Sequence, residues 1–196
     1  MLRVGLTGGI ASGKSVVAAI LRKRDYPVLD LDGLGHQLMA PGRAAYDEIV
    51  REFGSTVLGT GAEIDRAKLG AIVFSDQEKR AQLNRILHPP IRAEAQRWFS
   101  SLDRSGSPKA AFAEAALLIE AGYRDSLDRM VVCWCRPEQQ MQRLLARGLS
   151  EEQARQRIAA QMPIDEKRRV ADQVIDCSGT LEETERQVEE FLEEIA

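Results

Sequence analysis

Residues 8–15 read Gly-Gly-Ile-Ala-Ser-Gly-Lys-Ser, between a short apolar run at Leu2–Thr7 and a stretch with helical spacing at Lys14–Arg24. This G-x-x-x-x-G-K-[ST] pattern between a strand and a helix is the phosphate-loop signature. Its physics is local. Backbone N–H groups of such a loop converge on phosphate oxygens, and the helix N-terminus adds its dipole. Gly8 and Gly13 allow a close backbone approach that a Cβ would block. Lys14 brings a point charge to the β- and γ-phosphates, and Ser15 brings a hydroxyl ligand for Mg²⁺. Gly8, Gly9, Ile10, Ala11, Ser12, Gly13, Lys14, Ser15 and Val16 are therefore the candidate nucleotide contacts. The motif implies a nucleoside triphosphate but does not separate a kinase from an ATPase or a GTPase.

The rest of the chain alternates strands and helices. Strands are expected at Leu2–Thr7, Pro27–Leu31, Lys109–Ala115, Arg129–Cys135 and Gln173–Asp176. Such alternation implies a parallel sheet with helices on both faces. Pro137 is expected to open a helix at its first turn. Thr180 and Glu183 read as a capping box for a last helix reaching Ile195. Residues 34–104 carry only helical patterns. Asp65 is expected to cap a helix over Arg66–Phe74, and Ser75 with Glu78 to cap the next. His88-Pro89-Pro90 is expected to break that next helix. A further helix is expected to end near Leu102, followed by a polar turn over 103–108. Ser150 with Gln153 is expected to cap a helix ending near Gln161, and Pro163 to open another.

These patterns give a nucleotide-binding core of residues 1–33 and 105–196, a helical insert of residues 34–104, and a small lid over 147–170. Ligands in open α/β sheets bind beyond the carboxyl ends of the strands, which is where the insert emerges.

Composition narrows the partners. A net charge of −3 argues against a general nucleic-acid binder. Residues 136–169 hold eight basic and five acidic side chains, whereas 180–196 hold seven Glu and one Arg. A basic segment in an acidic chain suits a local polyanion, and a solvated helix face accounts for it equally. No apolar run approaches the ~18 residues that span a bilayer. The start is too short an apolar stretch for a signal peptide, so a cytoplasmic protein without a membrane partner is expected. Cys133, Cys135 and Cys177 lack disulfide spacing and read as buried, reduced thiols.

The second strand ends in Leu29-Asp30-Leu31-Asp32, and strand alternation would put both aspartates on one side. Phosphoryl transfer to a hydroxyl benefits from a carboxylate that accepts the hydroxyl proton. Asp32 is the candidate base; helix capping is the alternative for both residues.

The run GLTGGIASGKS followed by Leu-Asp-Leu-Asp resembles the dephospho-coenzyme A kinase family. Further family marks follow in order along the chain: Pro41-Gly42, Phe53-Gly54, Asp65-Arg66, Leu87-His88-Pro89 with Ile91-Arg92, and Leu117-Leu118-Ile119-Glu120. Gln140, Arg143 and Arg147 fit the family's Gln-x-x-Arg-x-x-x-Arg helix, and Gln161, Ala171-Asp172 and Val174-Ile175 its closing pattern. The resemblance implies a P-loop NTPase of the α/β class, with a five-stranded parallel sheet flanked by helices in the adenylate-kinase-like manner, a helical substrate-binding insert and a small lid. It implies ATP and Mg²⁺, dephospho-coenzyme A as acceptor, and a monomer or weak homo-oligomer. It implies Asp32 and Lys14 as catalytic groups, with Arg143 or Arg147 on the transferred phosphoryl. Thr7, Asp32, His88, Arg92 and Leu117 are the implied substrate contacts. A strand-end hydroxyl bonded within the fold is the alternative for Thr7, and a structural histidine the alternative for His88.

Five positions depart from the family pattern, among them Ala116 in place of a proline before Leu117-Leu118 and Gly148 in place of an aspartate after Arg147. Ala11 replaces a glycine, which is tolerable at negative φ. Val16 replaces a threonine and forfeits one hydroxyl contact to the nucleotide. Cys177 replaces an asparagine near the adenine end. The rival readings are another small-molecule or nucleoside-monophosphate kinase and a non-enzymatic nucleotide switch.

Overall fold

The computed structural model describes residues 1–106 and 108–195. The chain forms two compact units, Met1–Asp30 with Ser101–Ala196, and Leu31–Ser100.

The first unit is built on five parallel strands: β1 Leu2–Gly8, β2 Val28–Asp30, β3 Ala110–Glu114, β4 Arg129–Trp134 and β5 Gln173–Asp176. Their order across the sheet is β2-β3-β1-β4-β5, so β1 is central. Val4 and Leu6 on β1, and Phe112 on β3, are fully buried. A parallel sheet covered on both faces demands such apolar runs. Helices α1 (Lys14–Lys23) and α9 (Leu181–Glu194) contribute Val17, Ile20, Val188 and Phe191 to one core with β1, β3, β4 and β5. The buried face of α9 falls at Thr184, Val188, Phe191 and Leu192, the helical period. Thr180 caps it as expected: its Oγ1 accepts from the Glu183 N–H, and Glu183 accepts from the Thr180 N–H. Helix α6 (Pro137–Ala146) has proline at its first turn, and α7 (Glu151–Ala159) carries the Ser150–Gln153 box. Helix α8 (Ile164–Arg169) follows Pro163.

The second unit holds α2 (Leu31–Leu38), α3 (Tyr46–Phe53), a 3₁₀ turn at Ser55–Val57, α4 (Arg66–Ser75) and α5 (Gln77–Ser105) as far as Ser100. Leu38, Ile49, Phe53, Val57, Leu69 and Ile86 form its own core. Asp65 caps α4 as expected, its Oδ1 accepting from the Ala67 and Lys68 N–H groups.

Several expectations are corrected. The prolines at 89 and 90 do not break the helix: α5 runs unbroken for 29 residues through both. Proline removes an N–H from the ladder, so this helix forgoes two bonds. Packing offsets that loss, because Ile86 before the prolines and Leu87 and Ile91 around them join the same core. The polar turn expected over 103–108 is helical as far as Ser105, and Ser107 lies outside the described residues. The cap of α5 is Asp76, whose Oδ1 accepts from the Glu78 and Lys79 N–H groups. Ser75 instead ends α4 and donates to the Ala71 and Ile72 carbonyls.

Strand β2 is also shorter than expected. It pairs with β3 only over Val28–Asp30, and β3 ends at Glu114 opposite Asp30. With no partner beyond, the chain turns into α2 at Leu31, so Asp32 sits in a helix's first turn rather than on a strand beside Asp30. A carboxylate there is favoured by the helix dipole. No helix among the described residues is long and apolar enough to cross a membrane.

Candidate active site

The phosphate loop leaves the carboxyl end of the central strand and enters α1. Gly13 stands at φ 107°, and a Cβ there would lie 2.6 Å from the Cβ of Cys177. Ala11 is the unexpected member: its φ is +59°, not negative. A left-handed alanine costs roughly 1–2 kcal/mol. Side chains from distant parts of the chain hold it. Arg143 Nη1 donates to the Ala11 carbonyl at 3.0 Å, and its Nη2 donates to the Cys177 carbonyl at 2.7 Å. Gln140 Nε2 donates to the Ile10 carbonyl at 2.6 Å, and the Ile10 N–H donates to Gln161 Oε1 at 2.8 Å.

Lys14 reaches across to β3. Its Nζ lies 2.8 Å from Glu114 Oε1, and Arg22 lies 3.3 Å from Glu114 Oε2. Glu114 is almost fully buried at the end of a strand paired to β1. It holds the lysine ammonium beside the loop, and sequence reasoning missed it. Its signal was a single charge in the apolar run Ala110–Leu118. Ser12 is buried, and its Oγ has no hydrogen-bond partner among the described residues. A buried hydroxyl in that state invites an oxygen-rich ligand.

A cavity of about 270 Å³ opens beside the loop, lined by Ala11, Gly13, Ser15, Val16, Arg143, Arg147, Cys177 and Gly179–Leu181 with Thr184. The fold thus gathers sequence candidates from the loop, from α1 and from α6 around one space. Arg147, at the carboxyl end of α6, is exposed. The Cys133 thiol is pushed well up by burial, whereas a hydrogen bond from Cys133 holds the Cys177 thiol below the usual range. All three cysteines are buried.

Thr7 is fully buried, and its hydroxyl donates to the Ala116 carbonyl at 3.2 Å. Leu117 is half-buried just beyond β3. In the other unit, His88 and Arg92 line a concave stretch of α5 with Asn84 and Arg85. Burial, and then the nearby Arg92 guanidinium, hold the His88 imidazole below its ordinary 6.5.

The dephospho-CoA kinase family model matches residues 2–183. The chain belongs to the dephospho-CoA kinase family. A relative of that name from Geobacillus kaustophilus is 46% identical over 188 residues, covering 95% of this chain and 93% of the relative. Among solved structures, a Thermus thermophilus protein matches with 37% identity and a TM-score of 0.85, covering 100% of this chain and 98% of that one. A dephospho-CoA kinase from Campylobacter jejuni matches with 28% identity and a TM-score of 0.72, covering 98% and 96%. The family's α/β kinase architecture is the one seen here, with every strand parallel and the phosphate loop on the central one.

Proposed function

We propose that this chain transfers the γ-phosphoryl group of ATP to the ribose 3′-hydroxyl of dephospho-coenzyme A, giving coenzyme A and ADP. The observation that carries the reading is a formed phosphate loop in a chain matched to the family over residues 2–183. Loop N–H groups and the α1 dipole cradle the phosphates, with the Ser12 hydroxyl at hand. On nucleotide binding, Lys14 shifts part of its contact from Glu114 to the β- and γ-phosphates. Asp32, exposed in the first turn of α2, accepts the proton of the attacking hydroxyl. Arg143 is engaged with two carbonyls, so Arg147 is the arginine better suited to the transferred phosphoryl. A guanidinium there offsets charge spread over three oxygens. His88, Arg92 and Leu117 hold the acceptor, and Thr7 supports the loop's base.

The residues present fit a Mg²⁺ ion carried with the nucleotide. Among the described residues no group of three or more His, Cys, Asp and Glu is gathered. Mg²⁺ needs none, since it keeps several waters and takes phosphate oxygens with one or two protein ligands. Ser15, which lines the cavity, would hold it, and the ion would neutralise phosphate charge. Residues 147–170, with α7 and α8, form the lid, and the enzyme works in the cytoplasm as a monomer or weak homo-oligomer.

The test is ADP release with Mg·ATP, comparing dephospho-coenzyme A with AMP, shikimate, gluconate and no acceptor. Turnover with dephospho-coenzyme A alone is expected. Preference for another acceptor, or hydrolysis independent of acceptor, would remove the assignment.

A further inference from the structure

Ala11 and the bonds around it bear directly on nucleotide binding. The loop conformation at residues 10–11 is not one that alanine prefers, with φ at +59°. Three side chains bind that short stretch from outside. Gln140 and Arg143 come from one helix and take the Ile10 and Ala11 carbonyls. Gln161 comes from the segment between α7 and α8 and takes the Ile10 N–H. The contacts are close: a Cβ on Gly9 would lie 2.4 Å from Gln140 Nε2. The Gln161 bond spans 151 positions in sequence. Among these three bonds it alone reaches the loop from a residue outside the sheet and α6. Gln161 is half-buried, and the next residue is also tied down, since the Met162 N–H donates to Glu120 Oε1 at 2.9 Å.

We infer that Gln161 is a positioning residue for ATP: its amide oxygen holds the Ile10 N–H and keeps the phosphate loop in its strained, phosphate-ready shape. The reading rests on the loop being the ATP site. A loop that is only partly in its competent form weakens apparent affinity by the competent fraction. Bound ATP itself favours that form, so saturating nucleotide restores it. Losing the Gln161 bond should therefore raise the KM for ATP and spare kcat. The same bond makes the loop sensitive to the α7–α8 segment, since movement of that segment must break or keep it.

The test uses the full chain with Gln161→Ala and Gln161→Met, each also combined with Ala11→Gly. Methionine keeps the shape and removes the acceptor, which separates a hydrogen bond from packing. Glycine at 11 removes the backbone strain the bond is proposed to oppose. Both single variants should raise the KM for ATP, and the dissociation constant of Mg·ADP by direct titration, by about 5- to 10-fold, the scale of one hydrogen bond. kcat should stay within about 2-fold, and the KM for dephospho-coenzyme A should not move. In the Ala11→Gly background the effect of each Gln161 variant should shrink. A wild-type KM for ATP in Gln161→Met would reduce the residue to packing and overturn the inference. So would an effect of equal size in the Ala11→Gly background, or a fall in kcat at unchanged KM. The Mg·ADP titration needs no acceptor, so failure of the acceptor assignment would show separately, as wild-type turnover without dephospho-coenzyme A preference.

Discussion

Lys167 offers the sharpest test of how the first unit is held together. It is fully buried on α8, an uncommon place for an ammonium. Its Nζ donates to the Ala116 carbonyl at 2.6 Å and lies 2.8 Å from Glu120 Oε1 and 3.1 Å from Oε2. Lys167→Met keeps most of the stem volume but leaves the carbonyl and the carboxylate without the ammonium. Removing one member of a buried pair costs roughly 3–5 kcal/mol. Glu120 is 25% exposed and also accepts from the Met162 N–H, so water and that bond soften the loss. The low end applies, about 3 kcal/mol. For a chain of this size that is a fall in Tm of about 6–12 °C. Urea unfolding followed by tryptophan fluorescence suits the question. The Trp134 indole N–H donates to Asp165 on α8, and its ring lies 4.8 Å from the Arg168 guanidinium carbon. Adding Glu120→Gln should recover part of the loss, because the orphaned charge is then gone. A loss below about 1 kcal/mol in Lys167→Met would show that this pair does not anchor α8.

Other outcomes follow from the site. Asp32→Asn and Lys14→Ala should both fold, by circular dichroism, and lose at least ~10²-fold in kcat; near wild-type turnover in Asp32→Asn would remove the base assignment. The His88 imidazole is held below its ordinary 6.5, by burial first and Arg92 second. The unfolded chain therefore binds that proton at a higher pH than the folded chain does. Stability from this source is present above about pH 6.5 and is lost as pH falls through the depressed value. The urea midpoint should drop more between pH 7.5 and 5.5 in the wild type than in His88→Gln; equal drops would show that His88 does not carry the effect.

Much of the molecule was legible in the sequence because its signals are local. The phosphate loop, the strands and the caps at Asp65, Ser150 and Thr180 are each written within a few residues. Their physics needs only neighbouring backbone groups: N–H donors to satisfy, a dipole to complement, a positive φ for glycine. The departures have non-local causes. The expected break at Pro89-Pro90 and the expected negative φ of Ala11 follow local preference, and both were overruled by contacts from elsewhere. Strand β2 stopped at Asp30 because its partner stopped, which no reading of residues 27–32 contains.

The chain alone determined the chemistry it could perform: a phosphate-binding loop, a lysine, and an acidic residue after the second strand. Only the tertiary structure decided the strand order β2-β3-β1-β4-β5 and the pairing of Lys14 with Glu114. It alone set Gln140, Arg143 and Gln161 around Ile10 and Ala11. Those partners lie 100 to 151 positions apart, where composition and periodicity carry no information about proximity. Packing of the whole sheet and its helices brings them within hydrogen-bond reach, and that packing can hold an alanine where local preference would place a glycine.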